Sequence, residues 1–259
     1  MKEVVIEYPV LFFFRERKAV QVPEEWIDLT DRQFAICCKT YIEPVSDVEF
    51  ITEFFGMEKS LAERLDKFYQ YKLIELAGFI TNPKASVNFF YIKEIPGTGL
   101  FAPEKHLGGV TFERFMIFDT MFFEYMNSKD EHRMDNFIAT LYIKKHEMLN
   151  KINIEERNNF IAENIDKSTK YAIFLNYTFI RKWLSKAYPW LFGFTEEKPE
   201  AEKPKKVQPK KPNRPDWNAI LDGLVGDDII HYENYRQLPC TVAFRTINKR
   251  IQTYNKYGK

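Results

Sequence analysis

A polar segment from Glu196 to Arg214, EEKPEAEKPKKVQPKKPNR, limits how this 259-residue chain can fold. The segment holds four prolines, seven Lys or Arg residues and four Glu residues, and it contains no aromatic residue. Such a composition buries too little apolar surface to offset the conformational entropy that ordering would cost. We therefore predict a disordered, flexible Pro/Lys/Glu linker over residues 196–214.

The linker separates two parts of unequal size, a main domain over residues 1–195 and a C-terminal segment over residues 215–259. With 45% hydrophobic and 16% aromatic residues in the whole chain, the main domain can bury a substantial core. A segment of about 45 residues is close to the lower limit for independent folding. We expect it to pack either on the main domain or on a partner.

Local patterns predict a mainly α fold, a multi-helix bundle with a short N-terminal β element and a small helical C-terminal tail. The β element is indicated by β-branched and aromatic residues in EVVIEYPVLFFF and AVQVP, which predict one or two short strands around a charged turn, RERK. Helix starts are indicated where a Ser or Thr precedes a Gln or Glu by three positions, at Thr30–Gln33, Ser46–Glu49 and Ser60–Glu63. Gly56 and Gly78 stand where helices are expected to end.

The helical pattern lapses between Thr81 and Gly109, where we expect a strand and a Gly/Pro loop. It resumes at Thr111 and continues through Phe137, Leu141 and Met148, with further helices over 155–160 and from Asp166 towards Pro189. The apolar face of the first of these helices carries Phe112, Phe115, Met116, Asp119, Phe122, Phe123 and Met126. In the C-terminal segment, one helix is expected from Pro215 to Gly226 and another after Pro239.

Charge and cysteine content limit the compartment and the binding partners that we expect for this chain. The net charge is +1, from 38 Lys and Arg against 37 Asp and Glu, so no overall field favours nucleic acid or an anionic membrane. Three cysteines cannot form a disulfide framework, which suits a reducing compartment. YPVLFFF is far shorter than a bilayer span, and no secretory signal pattern is present, so we expect a cytoplasmic protein.

No arrangement of reactive residues predicts an enzyme. The four histidines, His106, His132, His146 and His231, are far apart in sequence, and no cysteine stands near them at zinc-site spacing. The stretch PGTGLFAPEK lacks the Gly-Lys-Ser/Thr ending of a phosphate-binding loop. We therefore predict no catalytic residue, no metal and no cofactor.

Two kinds of binding residue are indicated instead. The apolar face at the start of the C-terminal segment predicts contact with a partner protein through Trp217, Ile220, Leu221 and Leu224. The alternative is a DNA-binding or packaging accessory that contacts phosphates through Lys205, Lys206, Lys210, Lys211, Arg245 and Arg250. Because no aromatic residue interrupts the basic linker for base stacking, we expect nucleic-acid binding to be the weaker hypothesis.

Four stretches together carry a family resemblance: PEEWIDLTDRQF, GGVTFERFMIFDTMFFEYMNSKDEHRMDNFIATLYIKK, STKYAIFLNYTFIRKWL and DWNAILDGLVGDD. With the linker between the last two, the chain resembles tail-region proteins of phages and prophages from Bacteroidetes-type bacteria. Its layout is similar to that of phage tail-assembly chaperones. The resemblance implies a non-enzymatic chaperone-like or minor structural protein in the bacterial host cytoplasm, with the tape-measure or tube protein as its partner. It supplies no catalytic residue.

Overall fold

The computed structural model describes residues 2–11, 14–148, 151–193 and 215–257. Over these residues the chain forms twelve α-helices, joined by short 3₁₀ turns, and two small antiparallel sheets of two strands each. The predicted mainly α fold, with an N-terminal β element and a helical C-terminal segment, is confirmed. The predicted linker over 196–214 lies outside the described residues.

The chain forms two compact units whose boundaries differ from the predicted 1–195 and 215–259. Unit 1 comprises Met1–Ser86 and Asp166–Asn176, and unit 2 comprises Val87–Ile165 and Tyr177–Lys259. The C-terminal segment, residues 215–257, therefore belongs to the same compact unit as the middle of the chain.

Unit 1 begins with a hairpin of strands β1 (Lys2–Leu11) and β2 (Phe14–Val22), in which Val4 lies opposite Val20. The stretch RERK, expected as a turn, instead lies inside β2. A two-stranded ribbon leaves one face open to water, so charged residues are compatible with a strand at this place. Val20 and Val22 near the end of β2 are buried.

Four helices follow in unit 1: α1 (Asp31–Lys39), α2 (Asp47–Phe55), α3 (Lys59–Arg64) and α4 (Lys67–Leu76). The capping box of Thr30 and Gln33 is confirmed in both directions, and the Ser46 hydroxyl accepts the backbone N–H of Glu49 at the start of α2. Gly56 ends α2 in the left-handed conformation, at φ 63°. These signals act within one helical turn, so they were readable from the sequence.

The predicted helix start at Ser60–Glu63 is wrong, because Ser60 lies inside α3. The helix that carries Leu73 begins seven residues later, where the Asp66 carboxylate accepts the backbone N–H of Tyr69 at 3.0 Å. The Gln70 side chain joins the two helices by donating to the carbonyls of Ala62 and Leu65, at 2.9 and 3.2 Å. The core of unit 1 includes Trp26, Phe34, Ile51, Phe54 and Leu73.

Unit 2 begins with two short strands, β3 (Glu94–Ile95) and β4 (Leu100–Phe101), where a single strand was expected. Gly97 and Gly99, at φ 74° and 66°, form the turn between them. Three helices follow: α5 (Phe112–Ser128), α6 (Glu131–Leu141) and α7 (Ile154–Asn164). The helical pattern predicted from Thr111 through Met148 forms two helices separated at Lys129, which takes a left-handed conformation at φ 56°, and the second of them ends at Leu141.

The remaining helices are α8 (Lys167–Ala187), α9 (Pro189–Phe192), α10 (Trp217–Val225), α11 (Tyr232–Arg236) and α12 (Cys240–Tyr257). The first part of α8, to Asn176, belongs to unit 1 and the rest to unit 2. The expected starts of α8, α10 and α12 are confirmed, whereas α11 had no sequence signal. Among the described residues, none of the helices combines the length and apolar character that a membrane span requires.

Candidate functional site

The C-terminal segment joins unit 2 through a cluster of aromatic rings around Trp217. Thr111 caps the start of α5 and sets the helical phase of Phe112 and Phe115, which point to the indole ring of Trp217. The centroids of Phe115 and Trp217 are 5.1 Å apart, and those of Phe115 and Phe244 are 4.5 Å apart, with the rings edge to face in both pairs. Such pairs add stabilisation beyond their buried area. The cluster thereby packs both α10 and α12 against α5.

A buried carboxylate, Asp119, lies on the same face of α5 with no exposed surface. It accepts hydrogen bonds from the Tyr177 hydroxyl at 2.6 Å and from the indole Nε1–H of Trp217 at 2.9 Å. Its Oδ1 also forms an ion pair with a guanidinium nitrogen of Arg181. Three elements, α5, α8 and α10, therefore meet at one side chain. We call these four residues the Asp119 cluster.

The surroundings of the Asp119 cluster favour the charged form of Arg181. Burial, the largest single effect, lowers the pKa of Arg181, but the charges and hydrogen bonds of Asp119 and Tyr177 together outweigh it and raise that pKa. Burial, reinforced by that same carboxylate, holds the pKa of Tyr177 well above its usual value, so its hydroxyl stays a proton donor. The guanidinium carbon of Arg181 lies 4.4 Å from the ring centroid of Phe123, a cation–π contact.

The Asp119 cluster is suited to holding the C-terminal segment in place. A buried ion pair is tolerated only when hydrogen bonds satisfy its remaining polar atoms, and here a Tyr and a Trp supply them. Because Asp119 has no exposed surface, its carboxylate is closed to solvent. The arrangement can bind the indole N–H of Trp217 specifically, because the acceptor is buried in the core.

A second set of polar contacts holds the middle of the segment. The backbone N–H of Cys240 donates to the Val110 carbonyl at 2.9 Å, and that of Phe112 donates to the Leu238 carbonyl at 2.8 Å. The Glu113 carboxylate pairs with Arg236 and accepts the side-chain amide of Gln237 at 3.0 Å. The start of α5 therefore contacts the segment around α11 and α12 as well as at Trp217.

Three of the four predicted partner-binding residues lie in the core of unit 2. Trp217 is 4% exposed, Leu221 and Leu224 are also buried, and Ile220 is partly exposed. In this arrangement the three buried side chains pack within their own unit. The amphipathic pattern of α10 shows that a face is covered, but the covering surface comes from residues about a hundred positions earlier.

The predicted phosphate contacts have separate outcomes. Lys205, Lys206, Lys210 and Lys211 lie outside the described residues. Arg245 is exposed on α12. Arg250 donates to the carbonyls of Gly223 and Leu224, at 3.0 and 2.7 Å, and so caps the end of α10. Its guanidinium is therefore engaged in a structural contact.

The reactive side chains of the described residues are not assembled into a metal site. In residues 2–11, 14–148, 151–193 and 215–257, no group of three or more His, Cys, Asp or Glu side chains is placed to hold a metal ion. Cys37, Cys38 and Cys240 are free thiols and are buried. Burial raises the pKa of Cys37 and that of Cys240 to about 12, which disfavours the reactive thiolate form.

An exposed apolar surface lies on α4 and was not recognised from the sequence. Phe68 and Tyr71 are 64% and 63% exposed, and Leu76 is also exposed, whereas Gln70 and Leu73 on the other side of the helix are buried. We call Phe68, Tyr71 and Leu76 the α4 surface. The available signal was that α4 has apolar residues all round, more than one buried face requires.

Comparisons of the chain with protein-family models, with curated proteins and with solved structures found no match.

Proposed function

We propose that the protein is a non-enzymatic tail-assembly factor of a phage or prophage, chaperone-like or a minor structural component, acting in the cytoplasm of the bacterial host. The resemblance of the four sequence stretches supports this assignment and supplies the partner class, the tape-measure or tube protein. The protein works by binding another protein, and its task is to keep apolar segments of that partner from aggregating before assembly.

The α4 surface is the observation that carries the proposal. Two aromatic side chains more than 60% exposed on one helix are the type of residue that dominates protein–protein interfaces. Lys72 and Glu75 are exposed on the same face of α4 and pair with each other at 2.8 Å, so the α4 surface combines apolar rings with one ion pair.

Because Trp217 is buried, we place the partner contact on a different surface from the one that the sequence predicts. The C-terminal segment contributes to the core of unit 2, and α4 in unit 1 contributes the exposed aromatic residues. The partner therefore binds through Phe68 and Tyr71, and the indole of Trp217 serves the fold.

Co-expression with the tape-measure and tube proteins encoded nearby, followed by affinity capture, tests the proposal. We expect one of them to be captured, and we expect Phe68→Ala with Tyr71→Ala to reduce capture at least tenfold. Phe160→Ala, at an exposed phenylalanine on α7 in unit 2, is the matched control and should leave capture unchanged. Capture of neither protein by the unaltered chain would refute the proposed function.

The second candidate, a DNA-binding or packaging accessory, is favoured by one observation. Helix α12 carries Arg245, Lys249, Arg250 and Lys256 and no acidic residue. Phosphate contacts of this kind predict binding that weakens steeply as salt rises. An electrophoretic mobility shift at low ionic strength tests it, with Arg245→Ala and Lys249→Ala expected to weaken binding. Absence of any shift in the unaltered chain would eliminate this candidate.

A further inference from the structure

The C-terminal segment separates its charges into two neighbouring parts. Residues 222–233 contain Asp222, Asp227, Asp228 and Glu233 and no Lys or Arg, whereas α12 has four basic residues and no acidic one. A chain with a net charge of only +1 therefore has an acidic and a basic region within one short segment. Opposite charges at this density favour association with a complementary surface.

The acidic part presents two isoleucines to solvent. Ile229 and Ile230 are 74% and 93% exposed, in a 3₁₀ turn over Ile229–His231. Asp228 orders the turn, because its carboxylate contacts Nδ1 of His231 at 2.7 Å and accepts the Tyr235 hydroxyl at 3.0 Å. The His231 contact, followed by that with Tyr235, lowers the pKa of Asp228. We call residues 227–231 the isoleucine turn.

The basic part ends in a stretch of α12 that is exposed to solvent. Burial along α12 stops at Ile247, and every residue from Gln252 to Tyr257 is exposed. Six residues of α-helix extend about 9 Å. This end carries Tyr254 and Tyr257, both exposed, with the ammonium of Lys256 lying 5.1 Å from the Tyr257 ring centroid. It thus offers aromatic rings and positive charge together.

The isoleucine turn and α12 are neighbours within one copy. Arg250 of α12 donates to the carbonyls of Gly223 and Leu224, just before the turn. Its charge also acts on the hydroxyl of Tyr235, which binds Asp228. Because one short segment carries both features and they match each other in charge and apolar character, a two-fold axis can place each against the other feature of a second copy.

We propose that residues 222–257 form a self-complementary surface through which two copies of this chain pair. Each isoleucine turn packs against the Tyr254 and Tyr257 end of the partner copy's α12, and its acidic flank faces the basic residues of that helix. The charge complementarity within the segment selects a second copy as the occupant, because one chain supplies both halves of the contact in equal number. This pairing is separate from binding through the α4 surface.

Sedimentation velocity of the full-length chain, at several concentrations and at low and high ionic strength, tests the proposal. We expect a dimer that weakens as salt screens the charges. Ile230→Lys should raise the dimer dissociation constant at least tenfold, because it places a positive charge against the basic residues of the partner copy's α12. Met148→Lys, at an exposed apolar residue elsewhere in unit 2, is the matched control and should leave the dimer unchanged.

A charge exchange adds a test that a folding defect cannot imitate. Asp227→Lys alone and Lys256→Glu alone should each weaken the dimer, and the double variant should recover part of the affinity because the charges are again opposite. Circular dichroism verifies that each variant is folded. A chain that stays monomeric at about 100 µM, or a dimer unaffected by Ile230→Lys, would overturn the proposal. Monomeric chains that shift DNA until Lys256→Glu is introduced would also overturn it, in favour of nucleic-acid binding by α12.

Discussion

Helices α4 and α10 are similar in length, yet their aromatic residues have opposite surroundings. In α10, Trp217 is buried among Phe112, Phe115 and Phe192. In α4, Phe68 and Tyr71 are open to solvent. The sequence predicts Trp217 as a partner contact and predicts no role for Phe68. The difference shows that an amphipathic pattern reports that a face is covered and does not report by what.

The polar partners of the two helices explain the difference. The indole N–H of Trp217 has a buried acceptor in Asp119, 98 positions away in sequence, so this side chain can enter the core without losing a hydrogen bond. Helix α4 is held from its other side, where Gln70 donates to two backbone carbonyls. Phe68 and Tyr71 are thus left for another surface to cover.

The largest expected effect comes from Trp217→Ala. Truncating a buried Trp in an aromatic cluster costs about 3–5 kcal/mol, and here the lost hydrogen bond to Asp119 adds to that cost. We expect a marked fall in the urea midpoint of unit 2. Trp190→Ala, at a partly exposed tryptophan of the same unit, is the control and should cost far less. Equal stability of Trp217→Ala and the unaltered protein would show that α10 is not held by this contact.

The second effect concerns the charge at the centre of that contact. Asp119→Ala leaves the guanidinium of Arg181 without its carboxylate, and breaking a buried pair in this way costs about 3–5 kcal/mol. Adding Arg181→Met to Asp119→Ala should recover a large part of the loss, because it removes the stranded charge. Thermal unfolding of the single and double variants measures this. A double variant no more stable than Asp119→Ala would contradict the buried-pair explanation.

The two sides of this comparison were not equally predictable from the sequence. Helix starts at Thr30, Ser46 and Thr111 were predicted because caps involve residues within one turn. Asp119 stood in the predicted apolar face of α5, and a carboxylate in such a face is a signal of a buried pair. Its partners Tyr177, Arg181 and Trp217 could not be found, because only the folded chain brings together residues 58, 62 and 98 positions away.

Local signals also failed where tertiary contacts overrode them. Ser60 and Glu63 fit the capping pattern, but the structure starts α3 before them and gives the cap of α4 to Asp66. RERK resembles a turn, yet pairing with β1 makes it part of a strand. The exposure of the α4 surface could not be predicted, because the burial of Phe68 depends on whether another element covers it.

The third prediction compares a mostly buried ion pair in unit 2 with an exposed ion pair in unit 1. In unit 2, Arg157 donates to both carboxylate oxygens of Glu147, at 2.8 and 2.6 Å, and both side chains are mostly buried. In unit 1, Arg32 pairs with Glu53 at 2.6 Å, but both side chains are exposed. We expect Glu147→Gln to cost about 1.5–3 kcal/mol and Glu53→Gln at most about 1 kcal/mol, measured by urea unfolding at pH 7.

The pH dependence sharpens this third prediction. The hydrogen bonds from Arg157 are the largest cause of the lowered pKa of Glu147 relative to its usual value of 4.5. A carboxylate whose pKa is lower in the folded state stabilises the fold above the unfolded-state pKa, and this stabilisation is lost as pH falls through the folded-state pKa. The difference between Glu147→Gln and the unaltered protein should therefore be full at pH 7 and shrink below about pH 4.5. A difference that is constant down to pH 3 would contradict this ion-pair explanation.

The smallest expected effect on stability belongs to the α4 surface. Phe68→Ala and Tyr71→Ala remove side chains that are mostly in solvent, so each should change the free energy of unfolding by no more than about 0.5 kcal/mol. Leu73→Ala, on the buried side of the same helix, is the control and should cost about 2–5 kcal/mol. A cost above about 2 kcal/mol for Phe68→Ala would mean that the chain itself covers this ring. If Phe68→Ala leaves the stability unchanged but abolishes capture of the tail protein, the Phe68 ring belongs to the partner interface. An exposed aromatic residue that does not support its own fold contributes its apolar area only on binding.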